Sequence, residues 1–150
     1  MVKPLNVWEM NEPLTVQEVE FIAYRLAKKI MEWDEPIPDF ETRFPNVLES
    51  CLIVPFQTFG KKSLYSGLIE KASILFYLMI KNHPFQNRNK RIAVTTLFVF
   101  LGNSGKWLKV GNQELYNFAI WVAQSPPQFK DQVVSAIHKF IKTNLVGLEK

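Results

Sequence analysis

Apolar residues recur along this chain at helical spacing. Val16, Val19, Ile22, Ala23, Leu26 and Ile30 fall three and four residues apart, on one face of a first helix. Its start is marked by Thr15 and Glu18, which have capping-box spacing, with Leu14 and Val19 placed as a hydrophobic staple. This helix is expected to end before Asp34-Glu35-Pro36. A short second helix is predicted from Asn46 to just before Pro55. Residues 55–66 (PFQTFGKKSLYS) read as the one irregular stretch. A longer helix over residues 67–82 is apolar nearly all round, through Leu68, Ile69, Ile74, Leu75, Phe76, Leu78, Met79 and Ile80, and such a helix belongs at the centre of a fold. A second strongly apolar helix, residues 89–101, is closed by Gly102-Asn103-Ser104-Gly105. Asn112 is expected to cap the next helix, with Leu115, Phe118, Ala119 and Val122 on one face and its end at Pro126-Pro127. The last helix, residues 130–143, carries Val133, Val134, Ile137, Phe140 and Ile141. Period-two alternation is almost absent. The pattern predicts an all-α, compact, single-domain bundle of about six helices over residues 1–150, with a short irregular flap before the central helix.

Composition adds bounds. With 150 residues and 47% of them hydrophobic, the chain is long enough to bury a core without disulfides or metals. Cys51 is the only cysteine; in its apolar setting it reads as a reduced core residue of an intracellular protein. The opening residues MVKPLNVWEMNEPL lack the apolar run and cleavage site of a signal peptide. The longest apolar runs, residues 73–80 and 92–101, fall short of the roughly 20 residues needed to span a bilayer. A cytoplasmic chain with no membrane partner is therefore expected. The net charge of +4 and pI of about 9.2 suit an anionic ligand or partner, and what matters is where the cations sit.

They gather in residues 83–91, HPFQNRNKR, the polar turn between the two most apolar helices. A turn so flanked is held rigidly, as a site requires. Arg88, Lys90 and Arg91 lie at or just inside a helix N-terminus, where the helix dipole disfavours positive charge by about 0.3–1 kcal/mol each. A bound anion reverses that penalty. Free N–H groups of the first turn, with Lys90 and Arg91, would then form a phosphate site. The bland alternative, in which these side chains bend into water and Asn89 merely caps the helix, is outweighed by the adjacent histidine and the buried flanks. A neutral His83 beside phosphate can take the proton of an attacking hydroxyl. Phe85 is expected to anchor the turn in the core. His138, mid-helix between Ile137 and Lys139, reads as structural.

The nine residues 83–91 resemble the Fic/Doc signature H-x-F-x-[D/E]-[A/G]-N-[G/K]-R, and Lys90 resembles the Doc (death-on-curing) branch, since Fic adenylyltransferases usually carry glycine there. The likeness extends to Leu14-Thr15-Val16-Gln17-Glu18-Val19, to Phe59-Gly60, Leu64-Tyr65 and Ile69-Glu70-Lys71-Ala72, and to Arg91-Ile92-Ala93, about residues 14–125 in all. The resemblance implies an all-helical toxin that uses ATP to phosphorylate a threonine of elongation factor Tu, blocks translation, and is silenced by a small antitoxin, Phd-like or another inhibitor. It implies that His83 is the general base and that Asn89, Lys90 and Arg91 hold the nucleotide's phosphates. It also implies that Thr58, Phe59, Gly60, Lys61 and Lys62 form the flap that docks the target, which could pair with an extended peptide by strand addition. Nucleic acid is not among the partners it implies.

Two positions depart from the pattern. Asn87 stands where an acidic residue usually helps hold Mg²⁺; it keeps a carbonyl oxygen for a hard cation and lacks the charge. Arg88 stands where a small residue lets the backbone approach the phosphates. It is expected to lower or abolish activity, or else to add a phosphate clamp. The family's self-inhibition motif, [S/T]-x-x-x-E-[G/N], is missing; the nearest match, residues 66–71, ends in Lys71. Fic-type AMP transfer and a catalytically inactive binding module remain alternatives within the family. Outside it, an RNase toxin is the rival, although neither His83 nor His138 follows an arginine by four to six residues. A P-loop is excluded around Gly60-Lys61, where Pro55 replaces the first glycine and Lys62 the Ser or Thr.

Overall fold

Lys71 to Ile80, ten consecutive residues of a single helix, are all buried, so this helix has no solvent face along most of its length. The computed structural model describes residues 12–30, 43–85 and 90–148. Among these it has six helices: α1 (residues 16–30), α2 (Pro45–Ile53), α3 (Leu68–Lys81), α4 (Lys90–Gly102), α5 (Asn112–Gln124) and α6 (Lys130–Asn144). The central helix α3 packs against α2, α4, α5 and α6, and α1 lies on α4. The all-α, six-helix expectation holds. None of the described helices is long and apolar enough to cross a membrane.

The reciprocal cap of α1 is present: Glu18 N–H donates to Thr15 Oγ1 at 3.1 Å, and Thr15 N–H to Glu18 Oε1 at 2.9 Å. Leu14 and Val19 are both buried. Farther along, the sequence pattern and the structure part. Leu26, expected on the inner face, is exposed, and Ala27 is buried instead. Residues Val19–Tyr24 are wound as a π-helix, whose wider turn takes up an extra residue, so the inward face moves on by one position. The expected end of this helix before Asp34-Glu35-Pro36 lies outside the described residues.

Helix α2 starts at Pro45, with Pro at the first turn where its missing N–H costs nothing. A 3-10 turn, Val54–Phe56, carries it past Pro55. The N-cap of α5 is Gly111 and not Asn112, which is already the first helical residue. Its inner face holds Leu115, Ala119 and Val122 as expected, while Phe118 is half-buried and stacked on Phe140 of α6, centroids 4.1 Å apart.

Two short antiparallel ladders were not legible in the pattern. β1 (Thr58–Phe59) pairs with β2 (Lys62–Ser63) inside the stretch read as irregular. β3 (Lys106–Leu108), just after α4, pairs with β4 (Leu145–Gly147), just after α6, and the Phe98 ring of α4 stacks on Trp107 of β3 at 4.5 Å.

Candidate functional site

Helix α3 ends at Lys81 with Asn82 as its C-cap, and the next residue, His83, has φ +51°. This left-handed position is where a helix end usually places glycine; a side chain there costs about 1–2 kcal/mol. Pro84 follows and forbids continuation. The turn is pinned from several sides. Pro84 and Phe85 are buried, Phe85 fully. The Phe44 N–H at the start of α2 donates to the Pro84 carbonyl at 2.7 Å, which satisfies a helix-start donor and fixes the turn together. His83 itself stays exposed.

Beyond the turn, α4 begins at Lys90, a lysine only 8% exposed. His83 and Lys90 line one cavity of about 300 Å³, with Ile80 of α3 and with Tyr116, Ile120, Ala123 and Gln124 of α5. That volume is at the lower end of small-molecule sites. The α5 wall is held against the turn by Lys81, whose ammonium donates to the carbonyls of Ala123 at 3.1 Å and Ser125 at 2.5 Å. A cation on the last carbonyls of a helix is the arrangement the helix dipole favours.

Arg91 takes another direction. It is buried, and its guanidinium donates to the Ala27 carbonyl of α1 at 2.6 Å. Asn87, Arg88 and Asn89 lie outside the described residues. Among the described residues no three His, Cys, Asp or Glu side chains cluster in a way that would hold a metal.

The stretch Thr58 to Lys62 forms a hairpin apart from this cavity. Phe59 pairs with Lys62 across a two-residue turn in which Gly60 has φ +58° and Lys61 φ +70°. Two positive φ values in a two-residue loop make a type I′ turn, whose twist matches that of the strands. Glycine takes its position freely; the lysine is strained there.

Cys51, His138 and Glu70 do not line this cavity. The Cys51 thiol lies near the Leu78 carbonyl at 3.5 Å, and burial pushes its pKa up to about 12, which makes it unreactive. His138 Nε2 lies 3.3 Å from Glu70 Oε2. The Glu70 carboxyl is held below its usual range, first by a hydrogen bond from its own N–H and then by His138 and the Gly67 N–H, so it closes the start of α3 and ties it to α6.

A family model described as the Fic/DOC family matches residues 13–101. The chain belongs to the Fic/DOC family. The match takes in α1, α2, the hairpin, α3, the turn and nearly all of α4, and it is to the family as a whole. No curated protein and no solved structure matches the chain significantly. Fic domains are typically nucleotide-transferring enzymes that modify proteins by AMPylation or a related reaction. The Fic/DOC match stops before α5, which supplies four of the cavity's lining residues. Tyr116, Ile120, Ala123 and Gln124 were not singled out from the sequence. Their i, i+4, i+7, i+8 spacing forms a second stripe beside the core stripe of Leu115, Ala119 and Val122, and that stripe is the signal that would have found them.

Proposed function

We propose that this chain is a Doc-type toxin that transfers the γ-phosphoryl group of ATP to a hydroxyl of a target protein, by resemblance a threonine of elongation factor Tu. The observation that carries the reading is the meeting of His83 and Lys90 in one cavity, at a pinned turn between buried helices. A buried lysine in the first described turn of a helix suits phosphate, because dipole and cation act together on the same anion. His83 Nδ1 or Nε2 accepts the proton of the attacking hydroxyl as its oxygen bonds to phosphorus. The bond to the bridging oxygen breaks and ADP leaves. ATP supplies the phosphoryl group; the chain supplies position, charge and the base. Asn89 is a further phosphate contact in this proposal, Arg91 is instead the brace that ties this helix start to α1, and Asn87 is the candidate ligand for Mg²⁺.

The partners proposed are a cytoplasmic target and a small antitoxin. In this reading Arg88 restrains activity, and Arg88→Gly raises it; an unchanged rate and unchanged ATP affinity in that variant would remove the idea. The decisive experiment incubates the chain with labelled ATP, Mg²⁺ and a bacterial lysate. One labelled band, absent with His83→Ala, supports transfer, and the mass added to the target separates phosphoryl from AMP. Partner binding with no response to ATP would instead mark an inactive module, and RNA cleavage indifferent to ATP would mark a nuclease.

A further inference from the structure

Very little within the β1–β2 hairpin accounts for its shape. All six residues from Thr58 to Ser63 are exposed, two residue pairs join the strands, and Phe59 is 79% exposed. An isolated two-stranded hairpin is marginal in water, and Lys61 in the left-handed region makes this one worse. Its geometry has to be imposed at its base.

At that base lies Lys71, one turn into α3 and 5% exposed. Its ammonium donates to the carbonyl of Tyr65, on the leg that leaves the hairpin. The same ammonium lies 5.6 Å from the centroid of the Phe56 ring, on the leg that enters it. Phe56 in turn meets Phe100 of α4 edge-on, with centroids 6.0 Å apart. Between these two grips the Leu64 N–H donates to the Gln57 carbonyl at 3.0 Å and closes the ladder. One side chain therefore holds both legs. Among the described residues no carboxylate pairs with Lys71. A buried ammonium without a counter-charge is costly, and an apolar side chain of similar length would fill the space at less cost. What the lysine adds over such a residue is this double grip, through a charged hydrogen bond and a cation–π contact.

We propose that Lys71 is a positioning residue that fixes the β1–β2 hairpin as a preformed edge, so that an extended segment of the target protein docks at a set distance from His83. The inference rests on the transfer function proposed above. Helix α3 is the ruler: it carries Lys71 near one end and leads into His83 at the other, and the rise from Lys71 to Lys81 is about 15 Å. Because α3 is buried along this length, the hairpin base and the histidine turn are two fixed points on one rod.

The test compares the full chain with Lys71→Met, which keeps the stem, and Lys71→Arg, which keeps the charge. Hydrogen exchange at the Leu64 and hairpin amides should quicken by about tenfold or more in Lys71→Met, with α3 amides unchanged. In the transfer assay the KM for the target protein should rise by about tenfold while kcat and the KM for ATP stay put, with partial recovery in Lys71→Arg. Unchanged hairpin exchange in a folded Lys71→Met overturns the proposal, as does a KM for ATP that rises with the KM for the target. Should Lys71→Met unfold the chain, Phe56→Leu removes one grip alone, and the same exchange readout decides. If the unsubstituted chain transfers nothing, the proposed function fails, while the exchange experiment still decides whether Lys71 holds the hairpin.

Discussion

Arg91 donates to the carbonyl of Ala27 at 2.6 Å, so the last residue of the family signature ties the start of α4 to α1. A buried hydrogen bond from a charged donor is worth about 1.5–3 kcal/mol, and removing the donor leaves a buried carbonyl without that partner. Arg91→Met should lower stability by about that amount in urea unfolding. Arg91→Lys should recover little, since an ammonium lacks the reach and planar fork of the guanidinium. A midpoint equal to that of the unsubstituted chain would show that this contact is energetically idle.

His83 combines a strained backbone with an exposed side chain. His83→Gly should therefore stabilise the fold, by about 1 kcal/mol, while abolishing transfer. His83→Ala should also abolish transfer, with little gain in stability, because alanine keeps the left-handed penalty. The two variants separate strain from chemistry. Denaturation midpoints of both, read beside the transfer rates, check the prediction; a destabilised His83→Gly would mean that the imidazole supports the fold.

Thr15 and Glu18 cap α1 reciprocally. Thr15→Ala should cost about 1 kcal/mol, measurable as a lowered Tm. Because α1 lies on α4, the helix that begins at Lys90, hydrogen exchange in the first turn of α4 should quicken in the same variant.

The Glu70 carboxyl is lowered from an ordinary value of 4.5, chiefly by its own N–H and then by His138. A carboxyl lowered on folding adds stability above its unfolded pKa and loses it as pH falls through the folded one. The stability difference between the unsubstituted chain and Glu70→Gln should be full at pH 7 and shrink below about pH 4.5. With the Glu70 side chain 45% exposed, solvent screening keeps the whole effect under about 1 kcal/mol. Urea unfolding at pH 7 and pH 3 reads it; a difference that grew on acidification would reverse the sign and refute the assignment.

Most of the helical frame could be read from the sequence because its signals are local. The all-round apolar run of α3 placed it at the centre, and the Thr15–Glu18 spacing marked the start of α1. What escaped depends on non-local or backbone facts. The π-turn at Val19–Tyr24 shifts the buried face from Leu26 to Ala27 without any compositional mark. β3 and β4 are three residues each, and Trp107 meets Val146 across two intervening helices. The turn at Gly60-Lys61 needs a lysine at positive φ, which residue preference argues against. At the site, the polar turn drew attention to His83 and Lys90, while the α5 wall was hidden because its residues look like the margin of an ordinary amphipathic helix.

Cys51 has a practical consequence. It is the only sulfhydryl in the chain, fully buried, with its pKa pushed up to about 12. The native fold should therefore ignore maleimides and other thiol-directed dyes. A single Ser63→Cys substitution on the exposed hairpin would give the molecule one labelling point, with no background to subtract. A fluorophore or spin label placed there would follow the hairpin in real time.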